Sequence, residues 1–143
     1  MKKLSAFALL LAVSLAFACA VKPGYAAAGL VKLPSGVQDY CYDFSAIVLR
    51  AGVQKALKDG HYKLGYIEGF KVSGPSVFSR FTHDLGVKLA AQGYSFVAYN
   101  QEDGPRGNTI RSKPGTGQFF AITWGPSPDD DGAIYVLLSQ YSK

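Results

Sequence analysis

Two apolar runs joined by one turn constrain this chain more than any other feature. Gln118–Trp124 reads QFFAITW and Ala133–Tyr141 reads AIYVLLSQY, so each is apolar on both faces of an extended strand. Between them Gly125-Pro126-Ser127-Pro128-Asp129-Asp130-Asp131-Gly132 supplies two prolines and two glycines, which forces the chain to reverse. A β-hairpin is the expected result, and the rest of the chain must pack around it.

Upstream, the periodicity alternates between helix and strand. Leu49, Val53, Ala56 and Leu57 recur at helical spacing, which predicts a first helix over Ser45–Asp59 that Gly60 stops. From His61 to Val72 the period becomes two, with Tyr62, Leu64, Tyr66, Phe70 and Val72 sharing a face that Glu68 interrupts. Phe78, Phe81, Leu85 and Leu89 form the apolar stripe of a second helix, which opens near Pro75 and ends at Gly93. Ser95–Tyr99 is a short strand, and 100–117 reads as a long polar loop carrying Arg106, Arg111 and Lys113. The predicted order is α-β-α-β-β-β, an α+β domain with two helices on one face of a mainly antiparallel sheet. No internal repeat is present.

The N-terminal segment has the three parts of a secretory signal. Lys2 and Lys3 precede an apolar run from Leu4 to Phe17, and Ala16-Phe17-Ala18 and Ala18-Cys19-Ala20 both have small residues at cleavage spacing. The run is shorter than the roughly 20 residues that span a bilayer as a helix. Residues 1–20 are therefore expected to be a signal peptide, 21–40 a flexible arm rich in Gly, Pro and Ala, and 41–143 one domain. Cys19 ends the apolar run, where a bacterial lipoprotein carries its lipid. Three outcomes follow: a lipidated Cys19 anchored to the outer membrane, a free Cys19 able to pair with Cys41 in an oxidising periplasm, or a Cys19 removed with the leader; without a free Cys19, Cys41 is a lone buried thiol.

Charge and residue clusters exclude several function classes. The net charge is +5, and removing Lys2 and Lys3 leaves about +3, too mild a balance to imply nucleic acid. The two histidines, His61 and His83, are too few for a zinc site, and no His lies near Cys41 to make it a nucleophile. No Gly-x-Ser-x-Gly elbow occurs. Asp129–Asp131 resembles part of a calcium loop but lacks the bidentate glutamate, and reads better as a solvated turn. Lys113-Pro114-Gly115-Thr116-Gly117 has glycines without the Lys-Ser/Thr pair and helix of a phosphate loop. No catalytic residues, cofactor or metal are expected. Tyrosines are abundant, and those beside arginines suit a protein–protein surface.

The passage Phe78-x-x-Phe81-x-x-x-Leu85-x-x-x-Leu89-x-x-x-Gly93-Tyr94, then Phe96–Ala98, Phe120–Trp124 and Ile134–Leu138, resembles the TrbH-type conjugal transfer proteins over about residues 76–139. The resemblance implies a small exported envelope component of a type IV secretion system, with no catalytic residues to carry over. Family members typically have a full lipobox, from which Ala16-Phe17-Ala18-Cys19 departs.

The expected function is thus a non-catalytic envelope module that docks onto partner proteins. Arg106, Arg111, Lys113, Tyr99 and Trp124 are the candidate binding residues, and the hairpin edge and the 100–117 loop the contact surfaces. The alternative is a periplasmic inhibitor or immunity-like protein that inserts the 100–117 loop into a hydrolase. A pocket lined by Tyr62, Tyr66 and Phe70 would instead mark a small-ligand or enzymatic domain.

Overall fold

The computed structural model describes residues 17–18, 20–43, 63–101, 104–129 and 131–142. The first predicted helix, with His61 and Tyr62, lies outside the described residues. The described strands are β1 (Phe17–Ala18), β2 (Tyr25–Ala26), β3 (Val31–Lys32), β4 (Val37–Asp39), β5 (Tyr42–Asp43), β6 (Lys63–Val72), β7 (Ser95–Gln101), β8 (Gly107–Lys113), β9 (Gln118–Pro126) and β10 (Ile134–Ser142). One α-helix, α1 (Pro75–Ala91), lies between β6 and β7.

Six of these strands form one antiparallel sheet in the order β4-β6-β10-β9-β8-β7. The described residues therefore make a mainly-β fold with one helix, which corrects the expected two-helix α+β sandwich. Strand was underestimated because β8 lies inside the stretch read as a loop. Its sequence, Gly-Asn-Thr-Ile-Arg-Ser-Lys, offers one large apolar side chain, so no periodic signal marks it. What makes it a strand is pairing on both sides, Arg111 standing opposite Phe96 of β7 and Phe120 of β9. The predicted hairpin is present as β9–β10, with Val136 opposite Trp124 and Leu138 opposite Ile122. It lies in the middle of the sheet, so it offers no free edge; the edges are β4 and β7.

The helix packs across one face. Phe81, Leu85 and Leu89 are buried against Phe70, Val72, Phe120, Ile122, Val136 and Leu138, each large side chain contributing roughly 1.5–3 kcal/mol by leaving water. Phe81 meets Phe70 edge-on at 5.4 Å. The helix ends in a Schellman motif: Tyr94 N–H donates to Leu89 O and Gly93 N–H to Ala90 O, both at 3.0 Å. Gly93 takes φ +92°, a left-handed conformation that a residue without Cβ adopts at little cost. The other face of the sheet is also buried, through Ile67, Phe119, Ala121, Tyr135, Leu137 and Tyr141. Burial on both sides is why β9 and β10 read as apolar at consecutive positions.

Strand β6 is one ten-residue strand. Its irregularity falls at Gly65, where Gln140 pairs with Tyr66 but Tyr141 pairs with Leu64. That bulge turns Tyr66 toward the helix face and Leu64 toward the other.

The stretch 21–40, expected as a flexible arm, packs on the helix face. Ala26, Ala27, Val31 and Val37 are buried in the main core, and β4 extends the sheet by pairing with β6. A short turn at Ala27–Gly29 directs Ala28 N–H at both carboxylate oxygens of Glu68, each 3.3 Å away. Ala27 (φ +53°) and Ala28 (φ +54°) are both left-handed, a conformation that costs an alanine roughly 1–2 kcal/mol. The Ala27 and Val21 N–H groups also act on the buried Glu68 carboxyl.

Candidate functional site

A groove of about 330 Å³ lies along the side of α1, over strands β7, β8 and β9. From the helix, Phe78, Ser79, Thr82 and His83 line it at the spacing of one stripe; the sheet supplies Phe96, Thr109, Arg111, Ile122 and Trp124. Thr82 is turned into its own helix, its hydroxyl donating to Phe78 O at 2.9 Å. The floor is aromatic. The Trp124 indole lies 5.5 Å from the Phe78 ring and stacks at 6.0 Å on Tyr99. Gly107 stands opposite Trp124 on β8 and has no side chain, which leaves room for the Tyr99 ring to reach across.

Arg111 supplies the one guanidinium of the groove lining. It lies against the helix at Gly86: a β-carbon placed there would be 2.8 Å from Arg111 Nη2 and 3.3 Å from Cζ. Gly86 costs the helix roughly 1 kcal/mol relative to alanine, and its role is to admit the guanidinium. Both ion pairs among the described residues belong to Lys71; none involves Arg111. A partly buried guanidinium without a carboxylate partner among the described residues, in a groove that also holds Phe78, Phe96 and Trp124, is a site that favours an anionic group from outside.

The structure places Arg111 and Trp124 in the groove lining, with Tyr99 stacked on Trp124. It does not bring Arg106 or Lys113 to the groove. Arg106 is exposed in the β7–β8 turn. Lys113 lies past the helix end, its ammonium 5.8 Å over the Tyr94 ring. Sequence reasoning missed Phe96 and Gly86; a glycine in the middle of an otherwise regular helix was the available signal for the latter.

Strand β7 forms the outer wall. Phe96, Val97 and Tyr99 are 55, 57 and 52% exposed, and no charged residue or proline occurs between Ser95 and Gln101. Edge strands usually carry such residues to discourage pairing with another chain.

The other sequence candidates resolve differently. Asp129 and Asp131 accept hydrogen bonds from Lys71 Nζ at 2.6 and 2.8 Å, and the Tyr40 hydroxyl donates to Asp129 at 2.7 Å. Lys71 holds both carboxyls below the usual carboxylate range, and they raise its own pKa. The charge of Asp129 and Asp131 is therefore partly compensated by Lys71, and no metal-binding group of three or more ligands occurs among the described residues. Lys113–Gly117 is a tight turn leading into β9, closed by Thr116 Oγ1 donating to Lys113 O at 2.8 Å. Tyr66 and Phe70 pack on Phe120 and Phe81. Cys41 is disulfide-bonded. The sequence has one other cysteine, Cys19, which lies outside the described residues.

Glu68 is fully buried, and burial raises its carboxyl to about 7 against the ordinary 4.5. Backbone N–H groups of Ala28, Ala27 and Val21 oppose that rise, while the Asp39 carboxylate adds to it. The group is enclosed by the arm and stands apart from the groove, so its role is structural. No helix of the described residues is long and apolar enough to cross a membrane. Comparison with known proteins leaves the geometry to speak alone: no family model, no curated protein and no solved structure matches this chain.

Proposed function

We propose that this chain is a non-catalytic, exported module of the cell envelope that docks onto a partner protein along strand β7. The observation that carries the reading is the uncharged edge strand with Phe96, Val97 and Tyr99 exposed. An open strand of this kind binds an extended segment through its main chain, and neighbouring side chains select among segments. Export is supported by the leader-like start of the chain, with cleavage after Ala18 keeping Cys19, and by the disulfide at Cys41, a bond characteristic of oxidising compartments. If Cys19 is the other half of that bond, its sulfur is not available to a lipid, which favours a periplasmic protein over an outer-membrane anchor. Among assemblies, a conjugative type IV secretion system is the one that the pattern over 76–139 points to.

The inhibitor alternative loses its motive, because 100–117 is mostly the β7–β8 hairpin and offers no long loop to insert. The test is site-specific photocrosslinking in intact cells, with the reactive residue at Val97 and, as control, at Val87 on the exposed side of α1. An adduct with a second envelope protein from position 97, absent from position 87, is expected. Val97→Lys should abolish copurification of that protein without moving the thermal midpoint. Recovery of the chain without adducts from position 97 overturns the reading.

A further inference from the structure

We infer that the groove beside α1 binds a small amphipathic monocarboxylate, its head on Arg111 and its apolar body between Phe78, Phe96 and Trp124. This goes beyond the docking edge, which runs along the outside of β7 and uses Val97.

Three observations converge. The groove measures about 330 Å³, at the small end of sites that hold a small molecule. Its lining combines the rings of Phe78, Phe96 and Trp124 with the hydroxyl-bearing Ser79 and Thr109. Its Arg111 has no carboxylate partner among the described residues, although it is partly withdrawn from solvent. Leaving a guanidinium half-buried and unpaired is unfavourable, and an incoming carboxylate relieves it through two parallel N–H···O bonds.

The chemistry selects among anions. A planar fork matches a carboxylate, and the single fixed charge suits a monoanion better than a phosphate ester of higher charge. The next cation on the same strand, Lys113, is outside the groove lining, its ammonium 5.8 Å over the Tyr94 ring. A lone acidic side chain from a partner would meet Arg111 but leave much of the aromatic floor unfilled. A free acid with an aryl or branched alkyl body fills both. Gly86 sets the geometry, because a β-carbon there would lie 2.8 Å from Arg111 Nη2 and force the guanidinium to shift.

Trp124 is the only tryptophan of the chain, so its emission reports occupancy directly. The experiment titrates the purified full chain with phenylbutyrate and with its uncharged isostere phenylbutyramide. Saturable quenching or shift by the carboxylate is expected, weakened about tenfold or more with the amide. Arg111→Gln should weaken the carboxylate to the level of the amide, and Arg111→Lys should fall between, since it keeps charge and loses the fork. Gly86→Ala should weaken binding while leaving the circular dichroism unchanged, and Lys63→Gln, at the distant start of β6, should leave affinity as it is. Equal affinity for acid and amide, or an Arg111→Gln protein of native circular dichroism that binds as well as the parent, overturns the inference. So does a response confined to a glutamate-containing extended peptide, which would return the groove to the docking surface.

Discussion

At one end of the sheet, β4 has three residues, and its neighbour β6 is covered by the folded arm; at the other, β7 has seven residues and faces solvent. The β4 end is chemically closed. Tyr40 N–H donates to Gly69 O and Ser73 N–H to Gly36 O, which continues the pairing past the strand. Lys71 is matched by two aspartates and sits 4.6 Å over the Tyr40 ring. A cavity of about 360 Å³ lies there too, but its cation is already neutralised. At the β7 end the cation, Arg111, has no such match, and the edge carries apolar side chains without charge. Both ends have comparable cavities, so cavity size does not separate them. Compensation of charge and covering of the edge do: the β4 end is finished by the chain itself, and the β7 end is left for something else.

The largest effect that sharpens this contrast comes from truncating an aromatic residue on each side. Phe70 of β6 is fully buried beneath α1, and Phe70→Ala should cost about 3–5 kcal/mol in chemical denaturation. Phe96→Ala, at a position 55% exposed, should change stability by less than about 0.5 kcal/mol. If Phe96→Ala destabilised as much as Phe70→Ala, β7 would belong to the core, and the open-edge interpretation would fail.

These two residues also show what was legible in the sequence. Phe78, Phe81, Leu85 and Leu89 announced α1 because a long helix exposes its period and Gly93 its stop. The β9–β10 hairpin was legible because consecutive apolar residues flank a turn of glycines and prolines. Strand β8 was not, since its conformation depends on neighbours distant in sequence. The arm was not either: Ala26–Gly29 looks unstructured locally and is fixed by Glu68, some forty residues away. Arg111, Tyr99 and Trp124 were legible as residue types enriched in binding surfaces. Their convergence was not, because strand order is set by tertiary packing. That same ignorance of order made the central hairpin look like an edge.

Glu68 supplies the next effect, confined to the β4 side. Its carboxyl titrates near 4.5 when unfolded and at about 7 when folded, so the unfolded chain releases the proton first. Stability is then highest below pH 4.5 with respect to this group and falls as pH rises through about 7, by about 3 kcal/mol. The groups around it are the Ala28, Ala27 and Val21 N–H donors of the arm, the Asp39 carboxylate and the Tyr66 phenol. Glu68→Gln should abolish the fall over this window, measured by urea denaturation at several pH values. A profile as steep in the variant as in the parent would mean that another group controls the arm.

The smallest effect has the opposite sign and comes from the same side of the sheet. Lys71 holds Asp129 and Asp131 below their ordinary 3.8, so their contribution is present above that pH and disappears as pH falls through the lowered values. Both carboxylates are substantially exposed, at 47 and 39%, so solvent and salt screen the pairing. Asp129→Asn should therefore flatten only the acid limb of the stability profile, by less than Glu68→Gln flattens the neutral limb, and added salt should mimic it. Arg111→Gln, at the other end, should leave both limbs unchanged, because that guanidinium has no folded partner whose titration it could shift. A loss of acid-limb stability in Arg111→Gln would reveal a carboxylate already bound to it, and the distinction between a finished and an open end would no longer stand.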